Sequence, residues 1–177
     1  NEDISWINSQ PFPTIIYEKN AKNYDPVSPL HFVPRNVANE ASAFLKFIVD
    51  YYDTLPAATL FLHSHRYAYH QEDLLILLPL IRQKIDAGVY FDDAYCNINS
   101  AVWGILDENV DILRAHWDAW IGKWLGELHS SAWPLDRCCA QFIVGRERIL
   151  LHDREFYKEA LDVMYSVDED DAVENKR

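Results

Sequence analysis

The residues best suited to chemistry follow one another in a single polar stretch: His63-Ser64-His65-Arg66-Tyr67-Ala68-Tyr69-His70-Gln71-Glu72-Asp73. On an extended chain His63 and His65 point to the same face, and His70 follows shortly after them. Neutral imidazole is a common metal ligand and titrates near neutral pH, so this cluster could bind a divalent ion or move a proton. Glu72 and Asp73 would add oxygen ligands. The structural alternative is a hydrogen-bonded histidine pair that only fixes a turn.

Other charged groups offer weaker signals. Arg146 follows the apolar run 140–144 and is a candidate phosphate ligand, because guanidinium pairs with phosphate in a two-pronged fashion. An ordinary surface ion pair explains it equally well. Asp92-Asp93 is similar to the paired acids that hold metal and diphosphate in sugar transferases, yet a solvated turn is favoured. The chain has no phosphate-binding glycine loop, no serine nucleophile elbow and no His-Glu-x-x-His pattern.

The charge balance excludes some partners. Acidic residues number 28 against 16 basic ones, and the resulting net charge of −12 repels phosphate backbones and anionic lipid head groups. We therefore expect no nucleic-acid partner, although a local basic spot could hold one small phosphorylated ligand. No apolar run is long enough to cross a bilayer, since the most apolar window, 74–81, is short and interrupted by Pro79.

Length and composition predict one globular domain. A chain of 177 residues can bury a sizeable core, and we expect residues 1–167 to form a single α/β domain. Residues 168–177 contain a run of acids and are expected to form a solvated tail. The chain begins at Asn1 rather than Met, so we expect that a segment has been removed upstream. A place in the secretory pathway or at a membrane anchor therefore stays open.

The cysteines leave two alternatives. There are three, Cys96, Cys138 and Cys139, and their spacing matches no zinc site. One long-range disulfide from Cys96 to either of the others is one interpretation. Three buried free thiols are the other, because cysteine is often a small core residue.

The pattern of apolar residues predicts an α/β fold. Short apolar or β-branched runs between breakers predict strands at 14–17, 30–33, 59–62 and 140–144, with a short strand within 90–98. Apolar residues spaced by three or four predict helices at 37–52 with Asn36 as N-cap, at 72–85 with a kink at Pro79, at 107–128 and at 154–163. The alternation favours a mainly parallel central sheet flanked by helices. Ligands bind beyond the carboxyl ends of such strands, where His63 would lie.

Several segments together resemble one family. They are Asn1-Glu2-Asp3-Ile4-Ser5-Trp6, Ile15-Ile16-Tyr17-Glu18-Lys19, Asn36-Val37-Ala38-Asn39-Glu40-Ala41, Tyr52-Asp53-x-Leu55-Pro56, Leu60-Phe61-Leu62-His63-x-His65 and Phe142-Ile143-Val144-x-Arg146-Glu147-Arg148-Ile149. In order and spacing they are similar to the family of domain of unknown function 3431, over most of the chain. Its members resemble, in their amino-terminal halves, GT-A-type glycosyltransferases and rhamnan-synthesis proteins.

The resemblance implies a GT-A-like fold and a glycosyltransferase that moves a sugar from a nucleotide sugar to a glycan acceptor. It places His63 and His65 where such folds hold a divalent metal such as manganese. Glu40 or Asp73 would then be the base that activates an acceptor hydroxyl. The implied substrate-binding residues are Asn36, Arg66, Tyr67, His70 and Arg146.

The chain departs from the family pattern just before Glu40, and two other hypotheses for its function stay open. Where the family commonly has Gly-Arg before Glu40, this chain has Ala38-Asn39, so a phosphate-binding arginine of the relatives would be missing. A non-enzymatic carbohydrate- or partner-binding module could use aromatic faces such as Tyr67, Tyr69, Tyr90 and Trp103. A metalloprotein with histidine ligands is the third hypothesis.

Overall fold

The computed structural model describes residues 3–19, 31–89, 94–100, 102–103, 136–137 and 139–166. The strands are β1 (Tyr17–Glu18), β2 (His31–Phe32), β3 (Ala58–Phe61), β4 (Tyr95–Asn97), β5 (Val102–Trp103), β6 (Asp136–Arg137) and β7 (Phe142–Gly145). The α-helices are α1 (Ala41–Tyr51), α2 (Leu74–Asp86), α3 (Arg146–Ile149) and α4 (Arg154–Ser166), with 3-10 turns at Ser5–Ser9 and Tyr52–Thr54. The fold is therefore mixed α/β. The helix predicted at 107–128, Asp92-Asp93 and the tail 168–177 lie outside the described residues.

Strands β3, β7 and β4 form an antiparallel sheet with β7 in the middle. The register aligns Phe61 with Phe142 and Ala58 with Gly145. Strands β5 and β6 also pair antiparallel, so among the described strands parallel pairing is confined to β1 and β2. The mainly parallel central sheet expected from the sequence is not seen within these ranges. Alternation of strands and helices could not decide the point, because strand direction depends on the path of each connection.

The sheet carries an apolar layer on each face. Successive strand residues point to opposite faces, so Ile143 and Val144 of β7 enter different clusters. Val144 packs with the side chains of α1 and α4, represented by Ile48 and Tyr157. Ile143 packs with the cluster under α2: Trp6, Leu74, Leu78 and Ile81. Full burial of one large apolar side chain contributes about 1.5–3 kcal/mol, so these two layers fix α1 and α2 across the sheet.

Helix α1 begins later than the sequence predicts, and Asn36 as its N-cap is wrong. Ala38 and Asn39 adopt left-handed backbone angles, with φ of 52° and 47°, which cannot continue an α-helix. The Ala41 N–H closes this turn on the Ala38 carbonyl at 3.0 Å. Glu40 occupies the N-cap position of α1 without a side-chain capping hydrogen bond, so the turn decides where its carboxylate lies.

Helix α2 begins after Asp73, whose side chain accepts a hydrogen bond from the Leu75 N–H. That hydrogen bond satisfies one of the open donors of the first turn, as expected for an N-cap. The helix runs to Asp86 with Pro79 inside it. Within the ranges described, no helix reaches the length and apolarity that a membrane span requires.

The cysteines follow neither alternative drawn from the sequence. Cys96 is an exposed free thiol, whereas Cys139 is disulfide-bonded. A long-range disulfide from Cys96 is therefore wrong, and so is a set of three free thiols. The register of β4 aligns Cys96 with Ile143 rather than with the segment before β7 that carries Cys139.

Candidate functional site

The candidate site is built where β3 ends and α1 begins. The Glu40 Oε1 atom lies 3.3 Å from His63 Nε2, and His63 Nδ1 lies 3.4 Å from His65 Nε2. We call Glu40, His63 and His65 the carboxylate–histidine row. The Glu40–His63 distance is short enough for an ion pair, which forms only when the His63 ring is protonated, and His63 Nε2 makes no hydrogen bond of standard geometry within the described residues.

The neighbours of His63 set its protonation. Burial lowers the pKa of His63 below its ordinary 6.5; the Glu40 carboxylate opposes this shift, and His65 and His70 add to it. The ring is therefore neutral at pH 7 and carries one proton. Because a carboxylate only accepts, Glu40 favours that proton on Nε2, which leaves Nδ1 to accept from His65 Nε2–H. The two imidazoles can thus pass a proton from His65 to His63, and the resulting charge would lie beside Glu40.

The backbone of residues 63–65 is held by side chains from three separate parts of the chain. The contacts are His63 N–H to Gln141 Oε1 (3.1 Å), Trp6 Nε1–H to the Ser64 carbonyl (2.8 Å) and Gln71 Nε2–H to the His65 carbonyl (3.3 Å). We call these three hydrogen bonds the tripeptide clamp. Each is a single hydrogen bond of modest worth, but together they restrain all three residues of a loop.

The clamp continues into a buried polar network. Gln141 and Asn99 have no exposed surface, and His70 and Gln71 are each 6% exposed. Gln141 Nε2 donates to Gln71 Oε1 and, at 3.3 Å, to Asn99 Oδ1. Asn99 Nδ2 donates to the carbonyls of Gln141 and Cys139, so Asn99 Oδ1 is the acceptor facing His70 Nδ1 at 3.0 Å. His70 therefore carries its proton on Nδ1.

The network changes the interpretation of one predicted residue and adds others. His70 is predicted from the sequence to bind substrate. In the structure it is buried and its ring shares a hydrogen bond with Asn99; the centroids of the His70 and His63 rings lie 5.8 Å apart. The sequence assigned no role to Trp6, Gln71, Asn99 or Gln141, although Gln71 lies in the polar stretch that begins at His63. Gln141 could have been recognised from the sequence, because it is a polar residue inside an otherwise apolar predicted strand and a buried polar group requires a hydrogen-bond partner.

Arg66 and Asp73 pair with each other beside the row. Arg66 Nε lies 2.7 Å from Asp73 Oδ1, and its Nη2 contacts Asp73 Oδ2. The hydrogen bond from Arg66 is the main cause that lowers the pKa of Asp73 below 3.8. A carboxylate with a lowered pKa is a weaker base, and this one also caps α2. Catalysis by Asp73 stays a prediction, whereas Glu40 is the carboxylate that faces the histidines.

An open surface depression adjoins the row. Its volume is about 690 Å³, and its lining includes Asp3, Trp6, His65, Arg66 and Tyr67. Tyr67 is 70% exposed, and the nearby Tyr69 is 76% exposed. Exposed tyrosines combine a flat apolar face with a polar edge, which suits a sugar ring as a ligand. The depression therefore offers His65 and Arg66 to a bound molecule.

Of two further predicted binding residues, Asn36 precedes Glu40 by four residues and Arg146 lies apart from the row. Asn36 is exposed on the segment that precedes the left-handed turn. Arg146 begins α3 at the end of β7 that pairs with Ala58, and its N–H donates to the Ala57 carbonyl at 2.9 Å. Ala58 precedes His63 by five residues, so an extended chain separates that end from His63 by roughly 16 Å. The antiparallel direction of β7 thus carries Arg146 away from the row.

The side chains predicted to bind a metal do not form a suitable set of ligands. The described residues contain no group of three or more His, Cys, Asp or Glu side chains arranged to hold a metal ion. His63 and His65 offer two nitrogens, and Glu40 faces the other nitrogen of His63. Manganese favours oxygen ligands, so these side chains do not fit a resident manganese ion and no step is derived through one.

The fold and site define a mixed α/β domain in which a buried polar network supports a carboxylate–histidine row. The family model described as "Protein of unknown function (DUF3431)" matches residues 1–176, and the chain belongs to this family. The membership expected from the sequence segments is thereby confirmed. Neither the curated proteins nor the solved structures contain a match.

Proposed function

We propose that this protein is a glycosyltransferase that moves a sugar from a nucleotide-activated donor to a hydroxyl of a glycan acceptor. The observation that carries the proposal is the carboxylate–histidine row, whose last member, His65, lines the open depression. A neutral imidazole backed by a carboxylate is well suited to act as a general base near neutral pH. The proposed reaction class rests on the resemblance of the sequence segments to GT-A-type glycosyltransferases, and we assign the general base to the row.

In the proposed step, the acceptor hydroxyl in the depression transfers its proton to His65. The His65 Nε2 proton passes to His63 Nδ1, and the positive charge then lies beside Glu40. The acceptor oxygen forms a bond to the anomeric carbon while the bond from that carbon to the donor diphosphate breaks. The diphosphate leaves with the electron pair, and Arg66 in the depression stabilises its charge.

A carbohydrate-binding module is the second candidate function. The exposed rings of Tyr67 and Tyr69 favour it, because solvent-facing aromatic rings can stack on sugars without any chemistry. This alternative requires glycan binding that is independent of a nucleotide. The transferase requires a donor site as well.

Thermal-shift titration separates the two functions. A ligand at 100 times its Kd stabilises the folded state by about 2.7 kcal/mol, so binding raises the melting temperature. Nucleotide sugars and free oligosaccharides would each be titrated with and without manganese, against the wild type and His65→Asn. His152→Asn is the matched control, since His152 stacks on Phe156 outside the site.

The transferase predicts a shift with one class of nucleotide sugar that His65→Asn weakens and His152→Asn leaves intact. A shift with oligosaccharides alone would favour the binding module. A rise in melting temperature with manganese but with no sugar ligand would favour the metalloprotein hypothesis. If no nucleotide sugar changes the melting temperature, the transferase is excluded.

A further inference from the structure

Two buried glutamines connect the backbone on either side of Ser64. Gln141 accepts from the His63 N–H, Gln71 donates to the His65 carbonyl, and the two amides bond to each other. The path from His63 through the glutamines to His65 is therefore continuous. It spans the same two residues whose imidazoles meet in the carboxylate–histidine row.

The chemistry of the amide is what this position requires. Gln141 must accept from one neighbour and donate to another, and a primary amide has both an acceptor oxygen and two donor hydrogens. A carboxylate could not donate to Gln71 Oε1, and an apolar side chain could do neither. Gln141 has no exposed surface, so a mismatched group there would have no water to satisfy it.

The stability of the sheet does not require the hydrogen bonds that Gln141 and Gln71 make. Gln141 directly precedes β7, and Ile143 and Val144 in β7 already supply the apolar contacts to both faces. The amides instead end on the loop that carries the histidines. Gln71 also donates to the Arg66 carbonyl at 3.2 Å, so the same side chain restrains the next residue of the depression.

We propose that Gln141 and Gln71 are positioning residues that hold the His63 ring between Glu40 and His65. The catalytic consequence rests on the proposed function, but the positioning itself does not. Loss of either amide should free the loop, so that the His63 and His65 rings no longer share one fixed pair of tautomers. The glutamines themselves touch no reacting atom.

The test is the imidazole ¹⁵N spectrum of the full chain, in which the two tautomers of histidine give distinct shifts. The variants are Gln141→Met and Gln71→Met, which preserve side-chain length and remove the amide. Thr59→Val on β3 is the matched control, because it removes a buried polar atom outside the network. A cooperative melt for each variant establishes that it is folded.

Positioning predicts that Gln141→Met moves the His63 and His65 signals from fixed-tautomer shifts to averaged ones, while Thr59→Val leaves them unchanged. Gln71→Met retains the contact between His63 N–H and Gln141, so the His65 signals should change most. If Gln141→Met does not fold, Gln71→Met alone decides the question. Unchanged signals in a folded variant of lower melting temperature would show a merely structural role and overturn the proposal.

Activity gives a separate result. If the protein transfers sugar, Gln141→Met should lower kcat more than tenfold with little change in KM, since the binding depression is intact. Altered imidazole signals in a protein that binds no nucleotide sugar would leave the positioning role standing and exclude the proposed function. Unaltered imidazole signals together with undiminished sugar transfer would leave the proposed function standing and exclude the positioning role.

Discussion

The carboxylate of Glu40 lies 3.3 Å from Nε2 of His63 and so joins the start of α1 to the loop that follows β3. The left-handed turn at Ala38 and Asn39 sets the position of Glu40, and Gln141 holds the backbone of His63. The pair therefore depends on a turn, a strand and a buried amide that are far apart in the chain. Five predictions follow from this arrangement and its surroundings.

Glu40→Gln should lower sugar transfer by about 100-fold or more, because the amide carries no charge to stabilise the His63 cation and proton removal through the two histidines is expected to contribute about 10²–10⁴-fold. The measurement is kcat at saturating donor, with the melting temperature as a check on the fold. Glu147→Gln is the control, since Glu147 is exposed on α3. Equal turnover in Glu40→Gln and the wild type would remove Glu40 from the mechanism.

Arg66→Gln should weaken nucleotide-sugar binding by about tenfold, whereas Arg146→Gln should leave the Kd unchanged. Arg66 lines the depression, and Arg146 lies at the opposite end of the sheet beside Glu147. A charged hydrogen bond is worth about 1.5–3 kcal/mol, and 1.4 kcal/mol is tenfold in Kd. Calorimetric titration of both variants checks the contrast. A loss of affinity confined to Arg146→Gln would place the diphosphate at the other end of the sheet.

Ala38→Gly should stabilise the fold by about 0.5–1 kcal/mol. The left-handed φ of 52° costs a non-glycine residue about 1–2 kcal/mol, and glycine relieves that cost. Glycine also has more conformational freedom in the unfolded chain, which offsets about 0.5–1 kcal/mol of the stabilisation. Urea denaturation measures the change through the midpoint at constant slope. Ala43→Gly within α1 is the opposite case and should cost about 1 kcal/mol. Destabilisation by Ala38→Gly would argue against the left-handed turn.

Asp73→Asn isolates the ion pair with Arg66, because asparagine still accepts from the Leu75 N–H as an N-cap. Arg66 lowers the pKa of Asp73 below 3.8, so the ionised form stabilises the folded state. That stabilisation reaches its full value about one pH unit above the unfolded pKa of 3.8 and is lost as the pH falls through the lowered pKa. The stability difference between wild type and Asp73→Asn should be constant above pH 5 and shrink in acid. A difference that grew with acidification would contradict this sign.

Thr59→Val should stabilise the fold by about 1 kcal/mol, since the buried Thr59 Oγ1 finds no hydrogen-bond partner within the described ranges and valine has the same shape. Thr59 pairs with Val144 in the antiparallel sheet, where a β-branched side chain is retained. Thermal unfolding measures the effect. Thr14 is exposed, so its hydroxyl contacts with Gln10 and Phe12 compete with water, and Thr14→Val should not stabilise the fold. A loss of stability in Thr59→Val would reveal a partner for the hydroxyl.

Local pattern was enough to predict several elements. The apolar run before His63 predicted a strand at 59–62, and β3 spans Ala58–Phe61. Helical spacing predicted 72–85 and 154–163, which became α2 and α4. These predictions succeeded because side-chain period and breakers are written in neighbouring residues. Asn36 failed as an N-cap because the left-handed turn at Ala38 and Asn39 left no local signal that propensity could register.

The sequence by itself determined the family, the mixed α/β character and the location of a polar stretch directly after a buried strand. Only the tertiary structure decided which polar groups meet. It brought Glu40 to His63 and Gln141 to Gln71, and it carried Arg146 to the far end of the sheet. The reason is physical: strand direction and register are set by packing between distant segments, and neither the period of the apolar residues nor their composition encodes that pairing.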